Sequence, residues 1–436
     1  MKPIPNLPAG TWPVLLVLAV LVLLPVGRTS ELPLVLGAVA GLVLLLRGRI
    51  PPASAATRLV LALFACYWVP ALLSAVDAVE PARSWSTVAT TLRFLPFALF
   101  AGWALRDAAP WPMATAAVAA VVSLWVIDAY VQMATGHSLG GVAEAERVSG
   151  IFGAGNLKLG PVLAVLSPFV LVAAGTRFGL RGVLAALLVL AAPVLLAGSR
   201  AAWLSFVLVA LLACWHASRS RRQFAGVVLA FLLALGAVGA FAWRDSARFG
   251  ARIERSLLAL HGTEGAIDQA AAGRLRIWHA ALGMAAAHPL NGVGVRGFRY
   301  AYPAFAAPGD DFVDPERGTG AAHAHQVVLE VASETGAIGL LGWLAGVVLA
   351  WRAWRRAAAA ARSRAFAPGV ALVAMTFPLN THLAFYSAWW GLLFWWLLSL
   401  FCAALGARAD VRVEDPVAPS QGTARRKAKA EAEAEA

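Results

Sequence analysis

Apolar runs of about 20 residues recur along this chain, and they constrain its fold more than any other feature. A run of that length crosses a bilayer of about 30 Å as one helix. The runs are continuous rather than alternating, which indicates helices and not the strands of a barrel. The chain is 60% hydrophobic and only 14% charged, whereas soluble domains are about 25% charged. The sequence therefore predicts an all-α, polytopic integral membrane protein.

We predict about twelve transmembrane helices from these runs. They lie near residues 11–27, 31–47, 57–76, 85–105, 111–135, 158–175, 179–197, 200–217, 223–243, 326–351, 366–384 and 387–407. The first nine helices occupy residues 1–243, and the last three occupy residues 326–407. Between them, residues 244–325 form one long extramembrane segment with short helices. Residues 408–436 are charged and of low complexity, which is typical of a disordered tail.

Arginine residues set the predicted orientation, because short cytoplasmic loops of membrane proteins are enriched in arginine and lysine. One set of alternate loops carries most of them: Arg47, Arg49, Arg58, Arg106, Arg177, Arg181, Arg219, Arg221, Arg222, Arg352, Arg355, Arg356, Arg362 and Arg364. These loops are predicted to be cytoplasmic, as are both chain termini and the tail. The other loops, including residues 244–325, are predicted to face the opposite side of the membrane.

The formal charge of +13 does not indicate a nucleic-acid partner, because the basic residues lie in short loops between apolar runs. The cysteines Cys66, Cys214 and Cys402 all lie inside apolar runs. They form neither a disulfide framework nor a zinc-ligand spacing. The first apolar run has no cleavage site before the second run begins, so we interpret it as a retained helix rather than a signal peptide.

The long extramembrane segment divides into a helical half and an irregular half. Helical periodicity predicts helices over residues 248–260 and 274–287. Between His288 and Glu316 the chain is rich in proline, glycine and aspartate, which favours irregular structure. We expect the helices to lie on the membrane surface or to cap the helical bundle.

Two motifs in this segment are similar to ligand-binding loops but lack the required context. Gly292-Val-Gly-Val-Arg-Gly297 has the spacing of a dinucleotide loop, which needs a preceding strand and a following helix. We interpret it instead as a turn at which the backbone approaches a neighbour closely. Asp310-Asp-Phe-Val-Asp314 is similar to acidic motifs that hold magnesium, but the surrounding prolines disfavour the helix that would align its carboxylates. A solvated acidic loop is the favoured interpretation.

His323 and His325 lie two positions apart, directly before the predicted helix at 326–351. A zinc-binding pair on a helix is usually spaced four residues apart, so this spacing does not favour a metal site. Histidine is uncommon and costly at membrane depth. The two residues are therefore either a polar pair at a helix N-terminus or part of a catalytic site.

Cations on the same predicted face of the membrane are candidate anion binders. Arg200 lies between two apolar helices with almost no loop, where an arginine is either functional or extends to the lipid headgroups. Arg274 opens a predicted helix, whose free backbone N–H groups favour an anion. Arg147 and Lys158 flank a glycine-rich loop. Guanidinium groups bind phosphate oxygens in a fork, so arginines that converge here would form a phosphate site.

Taken together, the motifs of this chain resemble the bacterial O-antigen ligase and O-antigen polymerase superfamily. They are Arg147-x-Ser-Gly-x-Phe-Gly-x-x-Asn156, Gly198-Ser-Arg200-Ala-Ala-Trp203, Gly273-Arg274-x-x-x-Trp278, His288-Pro-Leu-x-Gly292-x-Gly294 and His325-x-x-x-Leu329-x-x-x-x-Glu334-x-Gly336-x-x-Gly339. Their order, spacing and predicted topology agree with the family over residues 145–345, and the helix number agrees over the chain.

The resemblance implies an inverting glycosyltransferase of the bacterial inner membrane that uses no metal and no cofactor. Its donor would be a glycan on undecaprenyl diphosphate, and its acceptor would be a sugar of the lipid A core, so that the product is lipopolysaccharide. Its active site would lie on the periplasmic face, which makes residues 244–325 a periplasmic segment. Membrane lipids are the other expected partners.

The resemblance also implies roles for individual residues. His325 matches the catalytic base of the family, and Arg200 and Arg274 match its diphosphate binders. We add Arg147 and Lys158 as further donor contacts. The family often has asparagine directly after the histidine, whereas this chain has glutamine there. The candidate supporting residues are His323, Gln326, Glu334 and Arg276.

Three alternatives remain open at this point. An O-antigen polymerase or a protein O-oligosaccharyltransferase would share the superfamily features. The ligase is favoured over the polymerase because the long periplasmic segment comes late in the chain, and the absence of a large soluble domain disfavours the oligosaccharyltransferase. A glycan transporter would be expected to show inverted repeats and charge near the middle of the membrane. The sequence shows no convincing internal repeat, and its informative cations gather at one membrane boundary.

Overall fold

The computed structural model describes residues 11–142, 147–245, 247–378, 380 and 384–408. The described residues are 73% helical with almost no strand, so the predicted all-α membrane fold is confirmed. The helices are α1 (Trp12–Val22), α2 (Glu31–Leu46), α3 (Ala55–Ser74), α4 (Pro81–Thr91), α5 (Phe94–Ala104), α6 (Trp111–Thr135), α7 (Leu159–Leu196), α8 (Arg200–Ala217), α9 (Arg221–Asp245), α10 (Ala247–Leu257), α11 (Glu264–Ala270), α12 (Arg274–Ala287), α13 (Phe298–Phe305), α14 (Val327–Arg356), α15 (Ala359–Thr376) and α16 (Ala388–Gly406). A two-stranded antiparallel ribbon pairs β1 (His137–Ser138) with β2 (Gly141–Val142).

Among the described residues, eight helical segments are long and apolar enough to cross a membrane. Two shorter apolar helices, α1 and α2, accompany them. Each predicted transmembrane segment overlaps a helix among the described residues. The predicted tail from residue 408 lies, apart from Arg408 itself, outside the described residues.

Helix α7 is a helical hairpin rather than one long rod. Gly179 has φ +62° and ψ −152°, which interrupts the helix in a conformation that side chains disfavour. A Cβ atom on Gly160 would lie 2.9 Å from the Cβ of Ala197, and one on Gly175 would lie 3.0 Å from Cγ2 of Val183. The two ends of α7 therefore meet, and the two spans predicted at 158–175 and 179–197 are confirmed.

The helix predicted at 85–105 corresponds to one apolar span, Pro81–Ala104, in which a two-residue break at Leu92 and Arg93 separates α4 from α5. Arg93 lies at the break and pairs with Glu31, the first residue of α2. Its Nη2 and Nε atoms lie 2.8 Å and 2.9 Å from the two carboxylate oxygens. An arginine among apolar helices is stable when it is paired in this bidentate way. The ion pair thus neutralises the arginine at the junction of α4 and α5.

Helix α15 also differs from the prediction of 366–384. It begins earlier, at Ala359, because the preceding alanine-rich run forms helix readily. It ends at Thr376, since Pro378 disfavours the helical conformation in the residue before it.

The extramembrane segment is more helical than predicted. Helix α12 has the predicted bounds, and α10 ends three residues before the predicted 260. Helices α11 and α13 were not predicted, and the expectation of irregular structure after His288 was wrong for α13. Phe298, Ala301 and Tyr302 are buried on one face of α13, so periodic apolar burial outweighs the proline inside it.

The two ends of the helical bundle differ in character. At one end, the backbone N–H of Arg408 donates to the carbonyl of Arg106 at 2.8 Å, and the Arg364 guanidinium donates to the carbonyl of Ala407 at 3.2 Å. This end carries the arginine-rich loops. The opposite end, which we call the motif end, carries the loops at 147–158 and 288–326. The sequence motifs are therefore gathered on one side of the bundle.

Candidate active site at the motif end

A hydrogen bond joins helix α12 to the segment that carries the two histidines. The indole N–H of Trp278 donates to the carbonyl oxygen of Ala324 at 3.1 Å. Ala324 is fully buried, and it lies between His323 and His325. The imidazole rings of these histidines have centroids 3.9 Å apart. Trp278 therefore fixes the backbone at the centre of the histidine pair.

Backbone strain is concentrated around the same site. Among the described residues, the non-glycine residues with positive φ are Ala272 (57°), Arg296 (62°) and His325 (53°). Each conformation costs of order 1–3 kcal/mol and persists only where the surroundings impose it. Ala272 precedes the Gly273-Arg274 motif, and Arg296 lies in the glycine loop. The strain therefore marks the segments that the sequence had singled out.

Gln326 is the N-cap of α14, and its side chain accepts a hydrogen bond from the backbone N–H of Leu329. The residue that caps this helix is thus Gln326 rather than His325. Asparagine is a preferred residue at such caps, and the longer amide of glutamine makes the same bond here. The departure from the family pattern at this position leaves the helix start intact.

Arg200 lies close enough to Arg274 for its charge to act on the Arg274 guanidinium. Arg274 is the first residue of α12 and lies one turn before Trp278, hence on the same helix face. Arg200 is the first residue of α8. Burial lowers the pKa of the Arg274 guanidinium, and the positive charge of Arg200 lowers it further. Two like charges within electrostatic reach, each at a helix N-terminus, form a site that an anion would stabilise.

The other two predicted donor contacts, Arg147 and Lys158, lie at the two ends of the glycine-rich loop. The N–H of Val148 donates to the carbonyl of Leu196 at 3.1 Å, which places Arg147 beside the turn that leads to Arg200. Lys158 instead contacts Trp389, with its Nζ atom 4.4 Å from the ring centroid. Burial lowers the pKa of the Lys158 amine.

Arg276, a candidate supporting residue, is held by three aspartates. Its guanidinium lies 3.2 Å from Asp268, 3.7 Å from Asp310 and 3.2 Å from Asp311. Its charge is therefore offset within the protein, and it secures the start of α12.

The acidic loop was predicted to be solvated, and this is wrong for Asp310. Its side chain is buried and accepts a hydrogen bond from the hydroxyl of Tyr302 at 2.8 Å. Burial, together with this bond to Asp310, raises the pKa of Tyr302. Asp310 turns inward because the hydroxyl of Tyr302 and the backbone N–H of Phe312 each donate to one of its two oxygens, as a buried carboxylate requires.

The glycine loop packs against a break in α14, which confirms its interpretation as a close-approach turn. A Cβ atom on Gly292 would lie 2.4 Å from the carbonyl carbon of Glu334. Gly336 interrupts α14 with φ +62° and ψ −159°. The freed N–H of Ala337 donates to the carbonyl of Pro289 at 2.9 Å. The two glycine motifs are thus two halves of one contact.

Glu334 holds this glycine loop from α14. Its Oε2 atom accepts a hydrogen bond from the backbone N–H of Arg296 at 2.8 Å. Glu330, one turn earlier, accepts from the backbone N–H of Tyr386 at 3.5 Å. Both carboxylates are fully buried. They position loops around the helix that follows His325.

Sequence reasoning missed two buried polar residues of α6, Asp128 and Gln132. Gln132 accepts hydrogen bonds from the backbone N–H groups of Ser149 and Gly150, at 2.9 Å and 2.8 Å. The available signal was their spacing, since polar residues four apart share a helix face. Polar residues inside an apolar helix are costly unless they have a function or a partner.

These features define a multi-pass α-helical membrane protein with arginines and histidines gathered at one end of its bundle. A family model described as O-antigen ligase matches residues 185–344. The match supports membership of the O-antigen ligase superfamily and confirms the resemblance inferred from the motifs. It includes Arg200, Arg274 and His325. The family implies a ligase or polymerase that acts on lipid-linked polysaccharide. A comparison with curated proteins finds no match.

Proposed function

We propose that this chain is an inner-membrane glycosyltransferase that transfers O-antigen polysaccharide from undecaprenyl diphosphate to the lipid A core at the periplasmic face. The observation that carries the proposal is the hydrogen bond from Trp278 to Ala324. It joins the helix that begins with Arg274 to the histidine pair, and Arg274 lies within electrostatic reach of Arg200. A phosphate site and a proton acceptor therefore belong to one assembly.

The donor diphosphate binds between Arg200 and Arg274 in this proposal. A guanidinium offers parallel N–H groups that match two phosphate oxygens, and the free N–H groups of a helix start add to the attraction. The diphosphate offsets the repulsion between the two arginines. As the bond to the sugar breaks, the same contacts stabilise the charge that develops on the leaving diphosphate. The arginines thereby supply the positive charge that this step needs.

His325 is the base in the proposed reaction. The acceptor hydroxyl forms a new bond to the anomeric carbon as its proton passes to the imidazole. The bond from the anomeric carbon to the diphosphate oxygen breaks, and the diphosphate leaves with the electron pair. A single displacement of this kind inverts the anomeric centre. Neutral imidazole accepts a proton near neutral pH, which guanidinium groups cannot do.

The direct test is transfer by purified protein in detergent, supplied with a lipid diphosphate glycan and lipid A core. A new glycosidic product supports transfer, and consumption of no donor would contradict it and favour a transporter. Deletion of the gene distinguishes a ligase from a polymerase. Lipid A core without polymer is expected for a ligase, whereas core with a single repeat unit would indicate a polymerase.

The sidedness is tested by labelling single cysteines with a membrane-impermeant maleimide on spheroplasts. Gly309 lies at the motif end and Ser220 lies in an arginine-rich loop, and both are exposed. In a cysteine-free background, Gly309→Cys should be labelled and Ser220→Cys should not. Equal labelling would contradict a periplasmic site.

A further inference from the structure

The side-chain amide of Gln132 holds the glycine-rich loop at its turn. Its Oε1 atom accepts hydrogen bonds from the N–H groups of Ser149 and Gly150, at 2.9 Å and 2.8 Å. Its Nε2 atom donates to the hydroxyl of Ser149 at 3.2 Å. Gln132 is only 3% exposed, so water does not compete for these bonds. One amide therefore fixes two consecutive residues of the loop.

Neighbouring contacts hold the same turn from two more directions. Asp128, one helical turn before Gln132, accepts a hydrogen bond from the N–H of Leu139 at 2.7 Å. Ser138, next to Leu139, donates its hydroxyl to the carbonyl of Gly150 at 3.0 Å. Helix α6 thus clamps the turn at Gly150 both directly and through the β1 segment.

The fixed turn sets the position of Arg147. Val148 directly precedes the residues that Gln132 binds, and its N–H donates to the carbonyl of Leu196 at 3.1 Å. Leu196 ends α7, and the next turn leads into Arg200. The position of the glycine-rich loop against this turn therefore determines the position of the Arg147 side chain relative to Arg200.

We propose that Gln132 is a positioning residue for the donor diphosphate site. It holds the glycine-rich loop between Arg147 and Lys158 against the turn that leads into Arg200, so that Arg147 contacts the donor diphosphate. The inference rests on the proposed function, because it assigns Gln132 to the donor side of that site. Gln132 acts through Arg147 and does not touch the donor. A residue that only stabilised the fold would affect donor binding equally whether or not Arg147 is present.

The experiment measures the Kd of purified protein in detergent for undecaprenyl diphosphate. Gln132→Met keeps the side-chain length but removes every hydrogen bond, and it should weaken binding about tenfold, since small displacements of binding groups have effects of this order or larger. Thr115→Val is the matched control, because the Thr115 hydroxyl bonds only to its own helix, α6. Its Kd should equal that of the native protein.

A double-mutant cycle tests whether the effect of Gln132→Met on donor affinity depends on Arg147. In an Arg147→Ala background, Gln132→Met should weaken binding no further. In an Arg274→Ala background it should still weaken binding about tenfold, because Arg274 lies on a different element. Additive effects of Gln132→Met and Arg147→Ala would overturn the inference, as would an unchanged Kd for Gln132→Met.

A second variant keeps the test decisive if Gln132→Met does not fold. Gly150 has φ +52°, and a Cβ atom there would lie 3.3 Å from Asp128, so Gly150→Ala displaces the same turn from the loop side. It should show the same dependence on Arg147, and additivity would again overturn the inference. The proposed function fails separately, if Arg200→Ala and Arg274→Ala both leave the Kd unchanged.

Discussion

The indole N–H of Trp278 donates a 3.1 Å hydrogen bond to the carbonyl oxygen of Ala324, 46 residues further along the chain. This contact connects the two chemical parts of the candidate site. Trp278 shares a helix face with Arg274, and Ala324 separates His323 from His325. The hydrogen bond therefore joins the helix that begins with Arg274 to the segment that carries His325.

Replacing Trp278 with phenylalanine tests this connection. Trp278→Phe keeps an aromatic ring but leaves the buried carbonyl of Ala324 without this donor, which should cost about 1 kcal/mol of stability. The transfer rate should fall about tenfold or more, because the histidine segment is no longer held in register. Trp215→Phe, at a side chain that is 59% exposed, is the control and should transfer at the native rate. Equal rates for both variants would exclude a role for the hydrogen bond.

Lysine substitutions test the guanidinium fork at the donor site. Arg200→Lys and Arg274→Lys keep the charge but lose the paired N–H groups. Each should weaken binding of undecaprenyl diphosphate by roughly ten- to a hundredfold, as expected for a lost charge-assisted contact of about 1.5–3 kcal/mol. Arg47→Lys, at an exposed position in an arginine-rich loop, is the control. Native affinity in both site variants would place the donor elsewhere.

Glycine-to-alanine substitutions test the break in α14. Gly336→Ala introduces a Cβ atom 2.3 Å from the backbone of Leu290, in a conformation open almost only to glycine. Strain of about 1–3 kcal/mol is expected from the backbone alone. Gly346→Ala lies on the same helix, where the nearest atom is 3.6 Å away, and should lose no stability. Thermal unfolding in detergent compares the two, and equal midpoints would contradict the close contact.

Much of the fold was predictable because the lipid solvent imposes long apolar helices, and their periodic runs are visible in the sequence. The interruption of α7 at Gly179 lies at the start of the second of two spans predicted there, 158–175 and 179–197. The break at Arg93 was not predicted, because hydropathy averages over a charged residue whose partner, Glu31, is distant in sequence. Helix α13 was missed because its proline and flanking glycines suggested a loop.

The candidate site residues that could be predicted from the sequence are those whose residue type itself suggests a chemical role. Arginines at helix starts and paired histidines are recognisable without a structure, and the charge of Arg200 does act on the Arg274 guanidinium. The role of Arg276 was not accessible, since two of its three aspartate partners, Asp310 and Asp311, lie more than 30 residues further along the chain. Gln132 was missed because its partners become neighbours only when the glycine-rich loop folds back onto α6.

In the proposed reaction, His325 removes the proton from the acceptor hydroxyl. The variants His325→Ala, His325→Gln and His323→Ala separate this role from hydrogen bonding and from the neighbouring histidine. A structural role is tested by His325→Gln, which keeps a polar side chain but cannot accept the proton. Binding of undecaprenyl diphosphate is measured in parallel, so that loss of donor affinity is not mistaken for loss of the base.

The decisive measurement is the single-turnover rate of glycan transfer by His325→Gln in the reconstituted system, at saturating donor. We expect native donor binding with a rate about two to four orders of magnitude below the native rate, as removal of a general base usually causes. His325→Ala should behave in the same way, and His323→Ala should retain most of the activity. Transfer by His325→Gln at the native rate would contradict the account and move the proton acceptor to His323 or a carboxylate.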